Sequence, residues 1–237
     1  MNISVPRLAL ASAVATLAIP AHAMLVLQGP EDFGGTGLGA VNTVLTLLSP
    51  GSSSDEIGAV RRLPGEDGDV ITGNALTGAS QSQTLSLASL GIASASDLRV
   101  VFNAIEPGNG DAGITLNDLR LSIFSPDGTE LFNSGTLTSP VDFADTFTCA
   151  GSSGFVFALD AAQAAAAQAL AFGADFGANL IGLYANLSDA TGGPETFFVA
   201  STGGVTPPIP EPQTYALMLA GLGVVGFVAA RRRQGGR

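Results

Sequence analysis

Short runs of alternating apolar and polar residues fill the middle of the chain, and turn-forming residues separate them. Leu119, Leu121 and Ile123 alternate with polar neighbours, a period of two that is typical of a half-buried strand. Short strands at this spacing favour antiparallel pairing, and we predict a β-sandwich of the jelly-roll type over residues 24–202. The ten predicted strands are MLVLQG (24–29), AVNTVLTLLS (40–49), DVITG (69–73), SQTLSL (82–87), DLRVVFNAI (97–105), DLRLSIF (118–124), TELFNSG (129–135), GFVFALD (154–160), NLIGLYANL (179–187) and ETFFVAS (195–201).

Two local signals interrupt the strand pattern. SPDG at 125–128 lies between two of the runs and predicts a hairpin turn. A segment rich in Ala, Gln and Leu, from Ala161 to Phe172, predicts one helix with Asp160 as its N-cap and Gly173 as its C-cap. We expect this helix to pack across a sheet edge or one end of the sandwich.

The first 23 residues have the order of parts found in a secretory signal peptide. Arg7 precedes an apolar run from Leu8 to Ile19, and Ala21 and Ala23 supply the small residues of a cleavage site. We therefore predict that signal peptidase cuts after Ala23, so that residues 1–23 are absent from the mature chain.

The C-terminus carries a second apolar run. Residues 215–230 contain no charge, and Arg231, Arg232 and Arg233 follow directly. A helix over these sixteen residues would be about 24 Å long, which is short for a bilayer but sufficient for a thin one. We predict a transmembrane helix over 213–230, with the arginines on the cytoplasmic side and residues 24–210 outside.

Pro210, Glu211 and Pro212 stand just before this helix, which contains AGLG and ends at the arginine cluster. This order of parts closely resembles the PEP-CTERM sorting signal, and the resemblance covers residues 210–237. The prolines on either side of Glu211 disfavour a helix and would hold the motif extended. Residues 203–209 predict a Gly/Pro linker between the domain and this tail.

The resemblance implies an exported protein of a Gram-negative bacterium that makes exopolysaccharide. In that family an intramembrane transpeptidase, exosortase, recognises the tail and cuts near the Pro-Glu-Pro motif, so Pro210, Glu211 and Pro212 would be substrate residues. It further implies a membrane-anchored precursor, then a mature protein at the cell surface or in the extracellular matrix.

The charge of the exported segment restricts its partners. Residues 24–210 contain 4 Arg, no Lys and 19 Asp or Glu, which gives 4 − 19 = −15. Such a polyanion repels nucleic acid, so we predict no nucleic-acid partner and expect a divalent cation or simple solubility to explain the charge.

One acidic segment partly follows the ligand spacing of a calcium loop. In PGNGDAGITLND (107–118), Asn109, Asp111 and Asp118 occupy positions 3, 5 and 12 of an EF-hand-like loop. Position 1 is Pro107 and position 6 is Ala112, and strands rather than helices are predicted on both sides. An acidic loop between strands is the stronger interpretation, so we predict no cofactor and keep these three residues as weak calcium candidates.

Two other patterns suggest chemistry that the rest of the sequence does not support. GGTGLGA (34–40) has the outline of a dinucleotide fingerprint but lacks the helix that should follow it. Carboxylates cluster at 66–69 and at 142–145, as a glycosidase would require, but Trp is absent and Tyr184 is the only Tyr outside the tail. Solvated surface carboxylates are the better interpretation of both clusters.

The mature chain lacks the residues that most hydrolases and zinc enzymes use. His22 is the only His, Cys149 is the only Cys and there is no Lys. Serine-triad, Cys-His and His-zinc chemistries are thereby excluded. We therefore expect a non-enzymatic exported protein with a structural or adhesive role in a biofilm matrix, and the alternative is a calcium- or polysaccharide-binding module.

Overall fold

The computed structural model describes residues 24–32, 42–50, 53–78, 80–104, 113–144, 153–190 and 192–202. The predicted signal peptide, linker and transmembrane helix lie outside these ranges. Within the ranges, no helix has the length and apolarity needed to cross a membrane.

Five strands form the first sheet, and every neighbouring pair in it is antiparallel. From one edge to the other, its order is β1 (Leu25–Asp32), β10 (Ser153–Leu159), β6 (Leu98–Asn103), β12 (Glu195–Ser201) and β2 (Thr43–Leu47).

The second sheet has seven strands and is also antiparallel. Five of its strands follow one another in the order β4 (Asp69–Gly73), β3 (Glu56–Arg62), β11 (Leu180–Ser188), β7 (Gly113–Phe124) and β8 (Glu130–Asn133). The other two are short: β5 (Leu85–Ser86) pairs with β11, and β9 (Val141–Ala144) pairs with β7.

The inward faces of both sheets share one hydrophobic core. At its centre, the rings of Phe102 and Phe197 stack with centroids 4.7 Å apart, and Phe143 meets Phe102 edge-on at 5.4 Å. Phe102 and Phe197 are fully buried, and burying a side chain of this size contributes about 2–3 kcal/mol. This shared core explains why the alternating pattern of the sequence appears in both sheets.

One α-helix, α1 (Ala161–Ala171), follows β10. Asp160 caps it as predicted, because its carboxylate accepts the N–H of Gln163 at 2.7 Å. The buried amide of Gln163 donates to the carbonyl of Ser134 at 2.8 Å, which ties the helix to the chain after β8. The helix ends one residue earlier than predicted, and Phe172 rather than Gly173 is the C-cap.

The predicted mainly β, antiparallel fold with one helix is confirmed. Two strands, β3 and β9, were not predicted: β3 has Glu56 and two arginines at its ends, and β9 overlaps the carboxylates at 142–145 that were interpreted as a solvated surface cluster. The loop interpretation of 107–118 is wrong for residues 113–117, because β7 begins at Gly113, five residues before the predicted strand at 118–124. Ile114 and Leu116 are buried there and pair with β9 and β11.

Both ends of the folded chain lie at one end of the five-stranded sheet. Leu25 pairs with Leu159 on β10, and Ser201 pairs with Leu98 on β6. Ala158 pairs with Arg99, so the antiparallel register places Leu159 level with Leu98. Leu25 and Ser201 are therefore on one row, three strand spacings or about 14 Å apart.

Candidate functional site

Most of the residues predicted to have a function lie outside the described ranges. Only Asp118, among them, is described. The others are the sorting residues Pro210, Glu211 and Pro212, the arginines Arg231, Arg232 and Arg233, the cleavage-site residues Ala21 and Ala23, and the calcium candidates Asn109 and Asp111.

The attachment point of the predicted tail is well defined. Thr202, the last described residue, donates its N–H to the carbonyl of Asp97 at 2.9 Å, and its hydroxyl donates to the same oxygen at 3.4 Å. Asp97 belongs to a short 3₁₀ helix, Ala95–Asp97, at the start of β6. The chain is thus held to the sheet as far as Thr202, and only residues 203–209 separate that anchor from Pro210.

These seven residues set the reach of the sorting motif. An extended chain covers at most about 3.3–3.6 Å per residue, so Pro210 can lie up to about 28 Å from Thr202.

Asp118 lies on the outer face of β7 and is already engaged by protein groups. Its Oδ2 is 2.7 Å from Nε and 2.6 Å from an Nη of Arg120, and its Oδ1 accepts the N–H of Leu137 at 3.0 Å. Arg120 also lies over the ring of Tyr184, 4.8 Å from the centroid. The carboxylate therefore links β7 to the chain after β8 through hydrogen bonds and a salt bridge.

Two other carboxylates meet at Thr115, near the start of β7. The Thr115 hydroxyl is 2.8 Å from a carboxylate oxygen of Asp142 on β9 and 3.1 Å from one of Asp189, just after β11. Asp189 also accepts from the hydroxyl of Ser188 at 3.3 Å and has a left-handed backbone, with φ of 66°. One hydroxyl has one proton to donate, so both carboxylates compete for it.

Sequence patterns singled out Asp142 but not Asp189. The pair forms because β7 lies between β9 and β11, with Thr115 opposite Asp142 on one side and Ser188 on the other. The turn-rich SDATGGP after β11 was the only local signal, and it predicts a turn rather than a partner for Asp142.

The carboxylates of the other predicted cluster, at 66–69, are mostly exposed. Asp69 accepts from the N–H and the hydroxyl of Thr84 at 2.7 and 2.6 Å, and it is 4.0 Å from Arg62. Glu66 and Asp67 are exposed in the turn between β3 and β4. Asp69 thus connects β4 to the segment before β5.

Two glutamates that the sequence pattern did not mark are fully buried. Glu56 begins β3, and its Oε1 accepts the N–H of Ser49. Its Oε2 is buried and has no hydrogen-bond partner among the described residues. Glu195 begins β12 opposite Leu47. Both point inward at the end of the sheets away from Leu25 and Ser201.

Within the described ranges, no three acidic, His or Cys side chains form a group that could hold a metal ion. A comparison with family models identifies the remaining part of the site. Residues 208–233 match the PEP-CTERM protein-sorting motif. No curated protein and no solved structure matches the chain.

Proposed function

We propose that this chain, which carries a PEP-CTERM protein-sorting motif at residues 208–233, is a non-enzymatic exported protein with a structural or adhesive role in the extracellular polysaccharide matrix. The motif implies export and processing by an exosortase membrane enzyme. The match to the motif is the observation that carries the proposal.

The architecture of the described domain supports this role. Two antiparallel sheets with one shared core would form the predicted jelly-roll-like sandwich. The sequence of residues 24–237 contains no His and no Lys, so the catalytic mechanisms that remain open to it are those based on carboxylates. A stable, acidic domain that is delivered outside the cell suits a matrix component better than an enzyme.

Sorting is tested by following the size and location of the chain in cells. A full-length chain with an epitope tag before Thr206 is expressed in strains with and without exosortase. We expect a shorter, surface or released product only in the strain that has the enzyme. Identical size and location in both strains would contradict the proposal.

The recognition residues need their own variants. Replacing Pro210, Glu211 and Pro212 together with Ala should leave the precursor uncut and in the membrane fraction in both strains. Glu66→Ala, which removes an exposed carboxylate far from the tail in sequence, is the matched control and should be processed normally.

The matrix role is tested separately from sorting. Deletion of the gene should weaken biofilm cohesion, and the wild-type chain should restore it while the triple Ala variant should not. Correct sorting with unchanged cohesion would leave the sorting function standing and remove the matrix role.

Calcium binding is the second candidate function, favoured by the meeting of Asp142 and Asp189 at Thr115. A cation would relieve the repulsion between two carboxylates that share one hydroxyl. Calorimetry at millimolar calcium should then show heat for the wild type and none for Asp189→Asn. Absence of heat and of a melting shift in the wild type would exclude this function.

Polysaccharide binding makes a different prediction. A binding module should bind the host's own exopolysaccharide saturably in solution. A purely structural component should alter biofilm cohesion and show no such saturable binding. The same purified chain serves for both measurements.

A further inference from the structure

The edges of the five-stranded sheet are protected against pairing with other chains. One edge, β1, has a bulge between Leu27 and Gly29 and contains Pro30, which has no N–H to donate. Bulges and prolines are the features that keep edge strands from accepting a further strand. The other edge, β2, is already bonded, because Leu76 donates its N–H to the carbonyl of Thr46 at 2.9 Å.

The seven-stranded sheet has one edge without such protection. On its β7 side the edge is divided between β8 and β9, which have only four residues each. On the other side lies β4, which contains neither Pro nor Lys and pairs only with β3 within the described ranges. Its three central residues, Val70, Ile71 and Thr72, are all β-branched and therefore favour a strand. The long side of this edge is thus suited to accept another strand.

The register of β3 and β4 determines which backbone groups of β4 are directed at the open edge. Asn74 donates its N–H to the carbonyl of Ile57 at 2.8 Å, so these two residues form a hydrogen-bonded pair. Such pairs recur at every second residue of an antiparallel ladder, and Thr72 and Val70 therefore bond to β3. The residues that alternate with them direct their N–H and C=O groups away from β3: Asp69, Ile71 and Gly73.

This arrangement of backbone groups is complementary to itself. A second β4 that runs antiparallel, with a two-fold axis at Ile71, places Ile71 opposite its own copy and Asp69 opposite Gly73, and each pair can exchange two hydrogen bonds. On the outer face, Val70 of one copy lies opposite Thr72 of the other. We propose that two copies of the domain associate through β4 in this register, so that their seven-stranded sheets join into one continuous sheet.

The charges favour this register over the neighbouring one. With the axis at Ile71, the two copies of Asp69 are about 14 Å apart, which exceeds the Debye length of about 8 Å at physiological ionic strength. Each Asp69 also keeps Arg62 of its own copy at 4.0 Å. An axis at Val70 would bring the two Asp69 residues to about 8 Å and would leave Gly73 without a partner across the interface.

The size of the interface predicts a weak and reversible dimer. Three pairs supply at most about six hydrogen bonds, and interfaces have about one such bond per 100–200 Å², which corresponds to about 600–1,200 Å² of buried surface. Interfaces of this size belong to transient complexes. Because both copies are acidic, added salt should strengthen the association by screening their repulsion.

Disulfide trapping between two full-length chains tests the register. Both chains carry Cys149→Ser and different epitope tags, and one has Val70→Cys while the other has Thr72→Cys. These two positions form a non-hydrogen-bonded pair with Cα atoms about 4.5 Å apart, which a disulfide can bridge. A mild oxidant should therefore link the two tags. Either variant alone should give about tenfold less product or lower, because identical positions are about 8 Å apart.

Two controls distinguish this contact from random collision and from pairing at another edge. Glu66→Cys lies in the exposed turn before β4, and Val26→Cys lies exposed on β1. Both should give no more product than the single variants at 70 and 72. Absence of the mixed product, equal yields from Val70→Cys alone or from either control, or linkage to a different host protein would overturn the proposal.

A pair of charge variants tests the same register without trapping. Val70→Glu/Thr72→Lys places opposite charges against one another across the interface, whereas Val70→Glu/Thr72→Glu places like charges there. Sedimentation of the purified full-length chain in detergent should show a dimer dissociation constant about tenfold higher or more for the second variant than for the first. Thermal unfolding of both variants verifies that each is folded. Equal dissociation constants for two folded variants would overturn the proposal.

Discussion

Asp118 and Arg120, two residues apart on the outer face of β7, form an ion pair in which the carboxylate and guanidinium are 2.6 Å apart. The side chain of Asp118 is only 12% exposed and that of Arg120 is 40% exposed. The pair also holds Arg120 over Tyr184 and offers the second carboxylate oxygen to Leu137. It therefore joins β7, β11 and the chain after β8.

Asp118→Ala should lower the free energy of unfolding by about 1 kcal/mol, mainly because the partly buried N–H of Leu137 loses its acceptor. The ion pair itself adds little, since Arg120 is partly in water. Asp118→Asn keeps an acceptor oxygen and should lose less. Urea unfolding measures both, and a loss in Asp118→Ala no larger than in Glu66→Ala would contradict the expected role.

Asp160→Ala should lower the free energy of unfolding by about 1 kcal/mol, because the N–H of Gln163 at the start of α1 loses its hydrogen-bond acceptor. Asp160→Asn is the matched control, since Asn caps helices about as well as Asp. Melting temperatures, measured by circular dichroism during thermal unfolding, distinguish the two variants. Equal losses in the two variants would show that the charge, and not the cap, matters.

Gly73 and Gly65 both have a left-handed backbone, with φ of 69° and 82°. A Cβ at Gly65 meets nothing within 4 Å, whereas one at Gly73 overlaps the carbonyl oxygen of Ile57. Gly65→Ala should therefore cost only about 1 kcal/mol of backbone strain, and Gly73→Ala should cost clearly more or prevent β4 from pairing with β3. Similar melting temperatures for the two variants would refute this.

Asp127, in the hairpin turn between β7 and β8, has a pKa below its ordinary value of 3.8, mainly because the hydroxyl of Ser125 donates to it and secondarily because Thr129 does. Its folded-state pKa is depressed, so its contribution to stability is present above pH 3.8 and is lost as the pH falls through the folded-state pKa. Ser125→Ala should raise the pKa of Asp127 towards 3.8 in an NMR titration. An unchanged pKa would mean that the backbone of Thr129 dominates instead.

Local patterns in the sequence predicted local structure well. Leu119, Leu121 and Ile123 are buried on β7 as their alternation indicated. The SPDG turn closes with Gly128 donating to the carbonyl of Ser125 at 2.9 Å. These features depend on neighbours within a few residues, which is the range that periodicity and turn chemistry describe.

Such local patterns could not predict which distant parts of the chain lie side by side. Nothing near Asp189 indicates that Asp142 will lie beside it, because their proximity follows from the placement of β7 between β9 and β11. None of the predicted strands contains Glu56, and its burial depends on how the two sheets meet. The sorting motif was predictable for the opposite reason, since all of its parts follow one another within residues 208–233 and can be recognised without the fold.

The common row of Leu25 and Ser201 has a consequence for whatever is attached to the two ends of the described domain. Chain segments that continue from these two positions leave the domain at the same end of the five-stranded sheet, about 14 Å apart. The opposite end, where Glu56 and Glu195 begin their strands, is the part of the domain farthest from both exits. Extensions on either side can therefore be shortened or removed without drawing a strand through the sheet.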